Sequence, residues 1–123
     1  METYTLVRPE HLNHYGYLFG GVMLKWVDEL AWLAASREYA GCPLVTVGMD
    51  EIRFKKRVAS GSILRFVIEK LKQGRTSVTY EVKVFADAPG AKEEEFVFET
   101  RVTFVHVNEK GEKTPLPLKR ESL

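Results

Sequence analysis

A single long apolar helix followed only by strands constrains the fold of this chain more than any other feature. Residues 21–39 are strongly apolar, and Gly41 and Pro43 end the segment. Residues 44–58, 63–71, 76–86 and 96–107 have the composition or alternation of strands, and short turns at 60–62, 73–75 and 88–90 separate them. The sequence therefore predicts an antiparallel meander with the helix packed on one face.

The predicted arrangement belongs to the α+β class. An antiparallel sheet wrapped around one central helix is the hotdog fold, and a cone like that of cystatin or of nuclear transport factor 2 is the alternative. Residues 3–7 add a short strand, and the alternation slips at 48–50, which indicates a bulge. We expect one domain over 1–113 and a loosely ordered C-terminal tail over 114–123. A sheet edge and a helix face remain uncovered, so we expect at least a dimer.

Composition excludes several function classes. The chain has 18 basic and 17 acidic residues, so its net charge gives no general attraction to nucleic acid or to a membrane. Cys42 is the only cysteine, which rules out an intrachain disulfide and fits a reducing compartment. The N-terminus has no signal-peptide pattern, and no apolar run approaches the roughly 20 residues of a membrane span. We expect a cytoplasmic protein without nucleic-acid or membrane partners.

Asp28 is the unusual residue of the helix, because an apolar helix rarely carries a carboxylate without a reason. At 100° per residue, one side of the helix carries Asp28 together with Gly21, Leu24, Lys25, Ala31, Trp32 and Ala35. The opposite side is bulkier and is the predicted core face, with Met23, Trp26, Leu30, Leu33 and Ala34. The Asp28 side is either a solvated stripe with local ion pairs or a face that meets another element.

The loop before the helix and the helix itself share a spaced pattern. Asn13, Gly16, the run Phe19-Gly20-Gly21 and Asp28 follow the spacing N-x-x-G-x-x-F-G-G-x₆-D. With this pattern the chain resembles the acyl-CoA thioester hydrolases of the hotdog-fold thioesterase superfamily. The resemblance extends over roughly residues 6–115, through the segment 45–47 that leads to Phe54, Gly61, the turn 74–77 and the segment 104–105. The chain departs from the family at Arg57, where proline is usual, and at Ser62, where an acid is frequent.

The resemblance implies hydrolysis of acyl-CoA to free CoA and a carboxylate. This reaction needs a base or nucleophile for the carbonyl carbon and donors for the carbonyl oxygen. Asp28 fills the first role, and the backbone N–H groups around Gly20 and Gly21 at the helix N-terminus fill the second. Asn13 holds either the water or the carbonyl, or serves as an Asx-turn residue. No metal or separate cofactor is expected, since CoA is part of the substrate.

The helix geometry favours a site shared between subunits. Gly21 and Asp28 are seven positions apart in the sequence, which is about 10 Å along the helix axis. One carbonyl cannot lie within about 3 Å of both groups. If both act on the same thioester they come from different chains, and the composite dimer site of the resembled family agrees with this. We therefore expect a homo-oligomer, at least a dimer, with a trimer of dimers as an alternative.

Two groups of residues are candidates for binding the CoA phosphates. The densest basic run includes Lys55, Lys56 and Arg57, and Arg75 is followed by the hydroxyls of Thr76 and Ser77. The basic run has an alternative interpretation as a charged, solvated strand edge.

Two other functions remain open from the sequence. One is hydration or dehydration of acyl thioesters, although His11 and His14 do not fit the H-x-x-x-G-x-P pattern of dehydratases of this fold. The other is a non-catalytic acyl- or CoA-binding module, which would give no reason for an acid at position 28.

Overall fold

A computed structural model describes residues 1–117 as one helix packed against one five-stranded antiparallel sheet. A short 3₁₀ turn, Pro9–His11, precedes the helix. The main elements are β1 (Glu2–Leu6), α1 (Gly20–Glu38), β2 (Leu44–Phe54), β3 (Ile63–Gln73), β4 (Ser77–Asp87) and β5 (Glu95–His106). The predicted helix and strands are all present, and their ends differ from the predicted ends by a few residues.

The strand order is β1-β3-β4-β5-β2, so the predicted meander is correct only for β3, β4 and β5. Strand β2 pairs with β5 rather than with β3, with Leu44 opposite His106 and Phe54 opposite Phe98. The prediction failed here because the turn at 60–62 belongs to a longer link, 55–62, that carries the chain to the other side of the sheet. The consequence is that β2 is an edge strand, next to the face of the helix that carries Asp28.

The alternation in β4 sets the core face of the sheet. Val78, Tyr80, Val82 and Val84 are all buried, as the period-2 pattern predicts. The irregularity predicted at 48–50 is also observed, because the β2–β5 register shifts between Thr46 and Gly48 and again between Asp50 and Arg53. These shifts bend β2 where it passes the helix.

The buried face of α1 differs from the prediction. Met23, Val27, Ala31 and Ala35 face the core, whereas Leu33 is 42% exposed. The angle of 100° per residue assigned Ala31 and Ala35 to the Asp28 side of the helix, and the bulkier opposite side was predicted to be the core face. The small size of the two alanines instead allows the sheet to approach the helix closely, so the core face is defined by shape as well as by bulk.

The first part of the predicted tail is docked on the domain. The Thr114 N–H donates to the His106 carbonyl at 2.9 Å, and the Leu116 N–H donates to the Arg75 carbonyl at 2.8 Å. The Leu116 side chain is only 7% exposed. Residues 114–117 are therefore part of the packed domain rather than a loose tail, and the rest of the predicted tail, 118–123, lies outside the described residues.

Candidate active site

A cleft of about 540 Å³ lies beside the N-terminus of α1. Leu18, Met23, Phe54, Val58 and Val97 give it an apolar wall, and the other lining residues are Asn13, Tyr15, Tyr17, Gly20, Lys55, Lys56 and Arg57. The structure therefore brings the asparagine, one helix-terminal glycine and the basic run together in one chain. It does not bring Asp28 or the turn 75–77 to this cleft.

The N-terminus of α1 offers two free backbone donors. Phe19 is the N-cap residue and has no side-chain capping bond. Its carbonyl accepts the N–H groups of Val22 at 3.0 Å and Met23 at 3.2 Å. Within residues 1–117 no acceptor contacts the N–H groups of Gly20 and Gly21. Both groups are therefore available to an oxygen that gains negative charge.

Two exposed aromatic rings lie against the two glycines at the helix N-terminus. A Cβ atom on Gly20 would lie 3.3 Å from Cζ of Phe54, and one on Gly21 would lie 2.8 Å from Cε2 of Phe19. Both rings are more than half exposed, at 53% for Phe54 and 55% for Phe19. Both phenylalanines belong to the resembled pattern, but the sequence could not show that their rings reach the glycines, because they do so from the N-cap and from the end of β2.

Asn13 combines the two roles that the sequence left open. Its Oδ1 accepts the backbone N–H groups of Tyr15 at 2.9 Å and Tyr17 at 3.2 Å, which is the Asx-turn interpretation. Its Nδ2 amide has no partner among the described residues, and the residue lines the cleft. The turn fixes the side chain and leaves one amide donor for a ligand.

Asp28 accepts a hydrogen bond from a residue that was not among the predicted site residues. Thr46 Oγ1 donates to Asp28 Oδ1 at 2.7 Å, from the edge strand β2. Trp32 Nε1 donates to the Leu44 carbonyl at 3.0 Å and fixes the helix against the same strand. The Asp28 side of α1 therefore meets another element, and no ion pair with Lys25 forms in the described chain. The segment 45–47 was part of the resemblance, but only the folded register shows that its hydroxyl reaches the carboxylate.

Asp28 and the cleft are separated along the helix and along the sheet. Gly20 and Asp28 are eight positions apart on α1, which is about 12 Å along the axis. Thr46, which contacts Asp28, pairs with Phe104, whereas Phe54 at the cleft pairs with Phe98 further along β5. One chain therefore presents the carbonyl-polarising donors and the carboxylate at two separate places.

The three cations of the basic run at the cleft have different neighbours. Lys55 Nζ lies 3.7 Å from a carboxylate oxygen of Glu99, and Lys56 Nζ lies 2.8 Å from one of Glu95. The hydrogen bond with Glu95 raises the pKa of Lys56. The Arg57 guanidinium instead lies over the Tyr17 ring, with its central carbon 4.3 Å from the ring centroid.

The second predicted CoA group lies near Asp28 rather than near the cleft. The carbonyl of Arg75 accepts the Leu116 N–H, and that of Thr76 accepts the His106 N–H at 2.9 Å. Ser77 pairs with Val105, which in turn pairs with Val45, next to Thr46. The turn and the Asp28–Thr46 pair therefore share one end of the sheet.

The described residues include neither a candidate membrane span nor a candidate metal site. Among residues 1–117, no helix is both long and apolar enough to cross a membrane. Within the same range, no group of three or more His, Cys, Asp or Glu side chains is placed to hold a metal ion.

Comparison with known proteins agrees with the fold. Residues 15–93 match the family model described as the thioesterase superfamily. A hexameric thioesterase from Yersinia pestis superposes with a TM-score of 0.85 at 28% identity, covering 94% of this chain and 93% of that one. An acyl-CoA hydrolase from Staphylococcus aureus, solved with butyryl-CoA and CoA, gives a TM-score of 0.85 at 26% identity, covering 95% of this chain and 71% of that one. The predicted hotdog fold is confirmed, and the chain belongs to the thioesterase superfamily.

A curated relative and further structures extend the comparison. Acyl-coenzyme A thioesterase 11 of mouse is 33% identical over 119 residues, which is 94% of this chain. The chain spans only 20% of the length of that mouse protein. Variants of the Staphylococcus aureus hydrolase with alanine in place of an asparagine, an aspartate or a threonine have also been solved.

Proposed function

We propose that this protein hydrolyses acyl-CoA thioesters to free CoA and a carboxylate. Membership of the thioesterase superfamily supports this proposal. The observation that carries the proposal is the presence of two groups at separate places. One is the pair of free N–H groups of Gly20 and Gly21, and the other is the Asp28 carboxylate, which accepts a hydrogen bond from Thr46. These are the two groups that thioester hydrolysis needs, one for the carbonyl oxygen and one for the attacking water.

In the proposed mechanism the acyl chain occupies the apolar wall of the cleft. The thioester oxygen accepts hydrogen bonds from the Gly20 and Gly21 N–H groups, and the Asn13 amide binds this oxygen or the water. Asp28 of the partner subunit takes a proton from water as the water oxygen bonds to the carbonyl carbon, or its own oxygen makes that bond. The C–S bond then breaks, and the CoA sulfur leaves as a thiolate that takes up a proton. On the second route this leaves a mixed anhydride on Asp28, which water then hydrolyses to the free carboxylate and Asp28. Neither route requires a metal or a further cofactor.

The shared site follows from the exposed edge of the sheet. In the single chain, Val45 and Val47 on β2 are 44% and 56% exposed, and Trp32 on the adjacent helix face is 40% exposed. An unpaired edge strand with apolar side chains is a surface that a second copy can cover. Pairing of two copies here would place each Asp28 against the other chain. The hexameric assembly of the Yersinia pestis thioesterase supports a homo-oligomer.

The spacing of the site residues gives independent support. The asparagine and the aspartate replaced in the Staphylococcus aureus variants are numbered fifteen positions apart, as are Asn13 and Asp28. The threonine follows that aspartate by seventeen positions, and Thr46 follows Asp28 by eighteen. These three residues of the chain are the ones that the structure places in or beside the proposed site.

The CoA portion would extend between the turn at 75–77 and the cleft. Arg75, Thr76 and Ser77 lie at the Asp28 end, so in a dimer the turn of one chain would approach the cleft of the other. We place the protein in the cytoplasm, since a rat relative at 27% identity is a cytosolic acyl coenzyme A thioester hydrolase.

The test is release of free thiol from acyl-CoAs ranging from acetyl to palmitoyl, with Asp28→Asn compared with wild type. We expect the variant to lower kcat by roughly 10²–10⁴, because general-base catalysis contributes that much. Glu29→Gln is the matched control, since this exposed neighbour lies on the same helix and should leave kcat unchanged. A folded Asp28→Asn protein with wild-type turnover contradicts the mechanism. Binding of CoA without any thiol release favours the binding-module alternative.

A further inference from the structure

Three cations line the cleft, and among residues 1–117 one of the three has no carboxylate partner. Lys55 and Lys56 contact Glu99 and Glu95. Arg57 contacts no carboxylate among residues 1–117, and the neighbour that holds it is the Tyr17 ring. Arg57 is also one of the two departures from the pattern of the resembled family, so its role is a property of this chain.

The backbone that follows Arg57 is fixed against Tyr17 and Leu18. The Leu18 N–H donates to the Val58 carbonyl at 2.8 Å, and Tyr17 forms an antiparallel bridge with Ala59. The residues after Arg57 are thereby tied to Tyr17 and to the residue that follows it. Tyr17 is in turn tied to Asn13, whose Oδ1 accepts its N–H. The guanidinium and the Asn13 amide therefore belong to one connected frame at the cleft.

A stacked guanidinium is well suited to bind an oxyanion. The contact with the ring uses the flat face of the guanidinium and leaves the N–H groups on its edge available. Those edge donors match the two oxygens of a carboxylate or a phosphate, which a lysine ammonium does not. A cation that adjoins an apolar cleft and has no internal counter-charge is a binding element for an anionic group of the ligand.

We propose that Arg57, oriented by Tyr17, binds an oxyanion group of the substrate, whereas Lys55 and Lys56 are engaged with the protein itself. The inference rests on the proposed function and names one specificity-determining residue for it. The oxyanion has two chemical sources. It is either a phosphate of CoA or a terminal carboxylate on the acyl group.

The experiment measures kcat/KM for four thioesters that differ in the acyl carboxylate and in the phosphate-bearing nucleotide. Butyryl-CoA and succinyl-CoA differ in the acyl carboxylate, and butyryl-pantetheine and succinyl-pantetheine are the same pair without the nucleotide and its phosphates. We compare Arg57→Ala with the matched control Lys56→Ala, which removes the neighbouring cation that is already paired with Glu95. Tyr17→Leu removes the ring under the guanidinium, and Tyr17→Phe retains it. Thermal unfolding of each variant confirms that it is folded.

We expect Arg57→Ala to lower kcat/KM by about 10- to 100-fold for the substrates whose anion Arg57 binds, because the free energy of a hydrogen bond to a charged group corresponds to about that factor. For Lys56→Ala and Tyr17→Phe, kcat/KM should remain within about twofold of the wild-type value. The first change removes only an exposed ion pair, and the second retains the ring under the guanidinium. Tyr17→Leu should show part of the Arg57→Ala loss. A loss on both CoA substrates identifies a phosphate, and a loss on both succinyl substrates identifies the acyl carboxylate.

Two results overturn the inference. One is an equal loss on all four substrates including butyryl-pantetheine, which carries neither anion. The other is a loss with Lys56→Ala as large as that with Arg57→Ala. If the wild-type protein releases no thiol, the proposed function fails separately. In that case calorimetric binding of CoA, pantetheine and succinate to wild type and Arg57→Ala still decides the inference, because unchanged affinities contradict it.

Discussion

Replacing Thr46 with valine isolates the hydrogen bond that positions the proposed catalytic carboxylate. Thr46 Oγ1 donates to Asp28 Oδ1 at 2.7 Å from an exposed position on an edge strand. Valine keeps the volume and the β-branching, so we expect the free energy of unfolding to change by no more than about 0.5 kcal/mol. The change removes only the donor to the carboxylate.

The expected effect is on turnover rather than on binding. A hydrogen bond to a charged group contributes about 1.5–3 kcal/mol, and solvent exposure puts this bond at the lower end of that range. Since 1.4 kcal/mol is a factor of ten, kcat should fall about tenfold. KM should stay within about twofold, because the lost group orients Asp28 and does not hold the substrate. The assay is thiol release with butyryl-CoA.

Two further variants make this result decisive. Thr46→Ser restores the hydroxyl and should restore kcat. In an Asp28→Asn background, Thr46→Val should add no further loss, because residues that act as a pair are not additive. Wild-type kcat for Thr46→Val refutes the positioning role. The same tenfold loss in both backgrounds shows that Thr46 acts through something other than Asp28.

The remaining predictions concern stability, measured by urea unfolding. Burial and the hydrogen bond donated to Glu38 raise the pKa of Tyr80 far above its ordinary value, so the stability from this group is full below about pH 10 and falls as the pH rises further. Tyr80→Phe should cost about 1 kcal/mol at pH 7 and make this decline shallower, and parallel curves to pH 11 would count against it. Ser62→Ala should leave stability unchanged or slightly raised, since the buried Ser62 hydroxyl has no partner in the described chain. Its control, Thr100→Val, should cost about 1–2 kcal/mol because the Thr100 hydroxyl donates to the Asp50 carbonyl at 2.6 Å. A Ser62→Ala loss as large as that of Thr100→Val would show that this reasoning is wrong.

The local parts of the fold could be predicted from the sequence. The alternation in β4 and the break at 48–50 in β2 depend only on residues that are neighbours in the sequence, so predicting them needed no tertiary information. The partner of β2 could not be predicted in this way. Turn lengths suggested β3, whereas the helix and the link 55–62 carry the chain to β5 instead.

The sequence predicted which residues belong to the proposed site but not how those residues are arranged. The spaced pattern from Asn13 to Asp28 identified both halves of the proposed site, and the distance along α1 indicated that they belong to different chains. The hydrogen bond between Thr46 and Asp28 could not be predicted, because it depends on where an edge strand meets a helix face. The difference between Arg57 and the two paired lysines likewise depends on acidic residues far along the chain.

Mixing two inactive proteins tests the shared site most directly. Asn13→Asp retains the Oδ1 acceptor that the Tyr15 and Tyr17 N–H groups need and replaces the amide donor with a carboxylate oxygen, and Asp28→Asn removes the carboxylate. In a mixed dimer one site receives Asn13 from one chain and Asp28 from the other, so complete random exchange should restore about a quarter of wild-type activity. Exchange is verified with subunits that carry different tags. Recovery of that size supports the shared site, and activity that stays at background after verified exchange contradicts it.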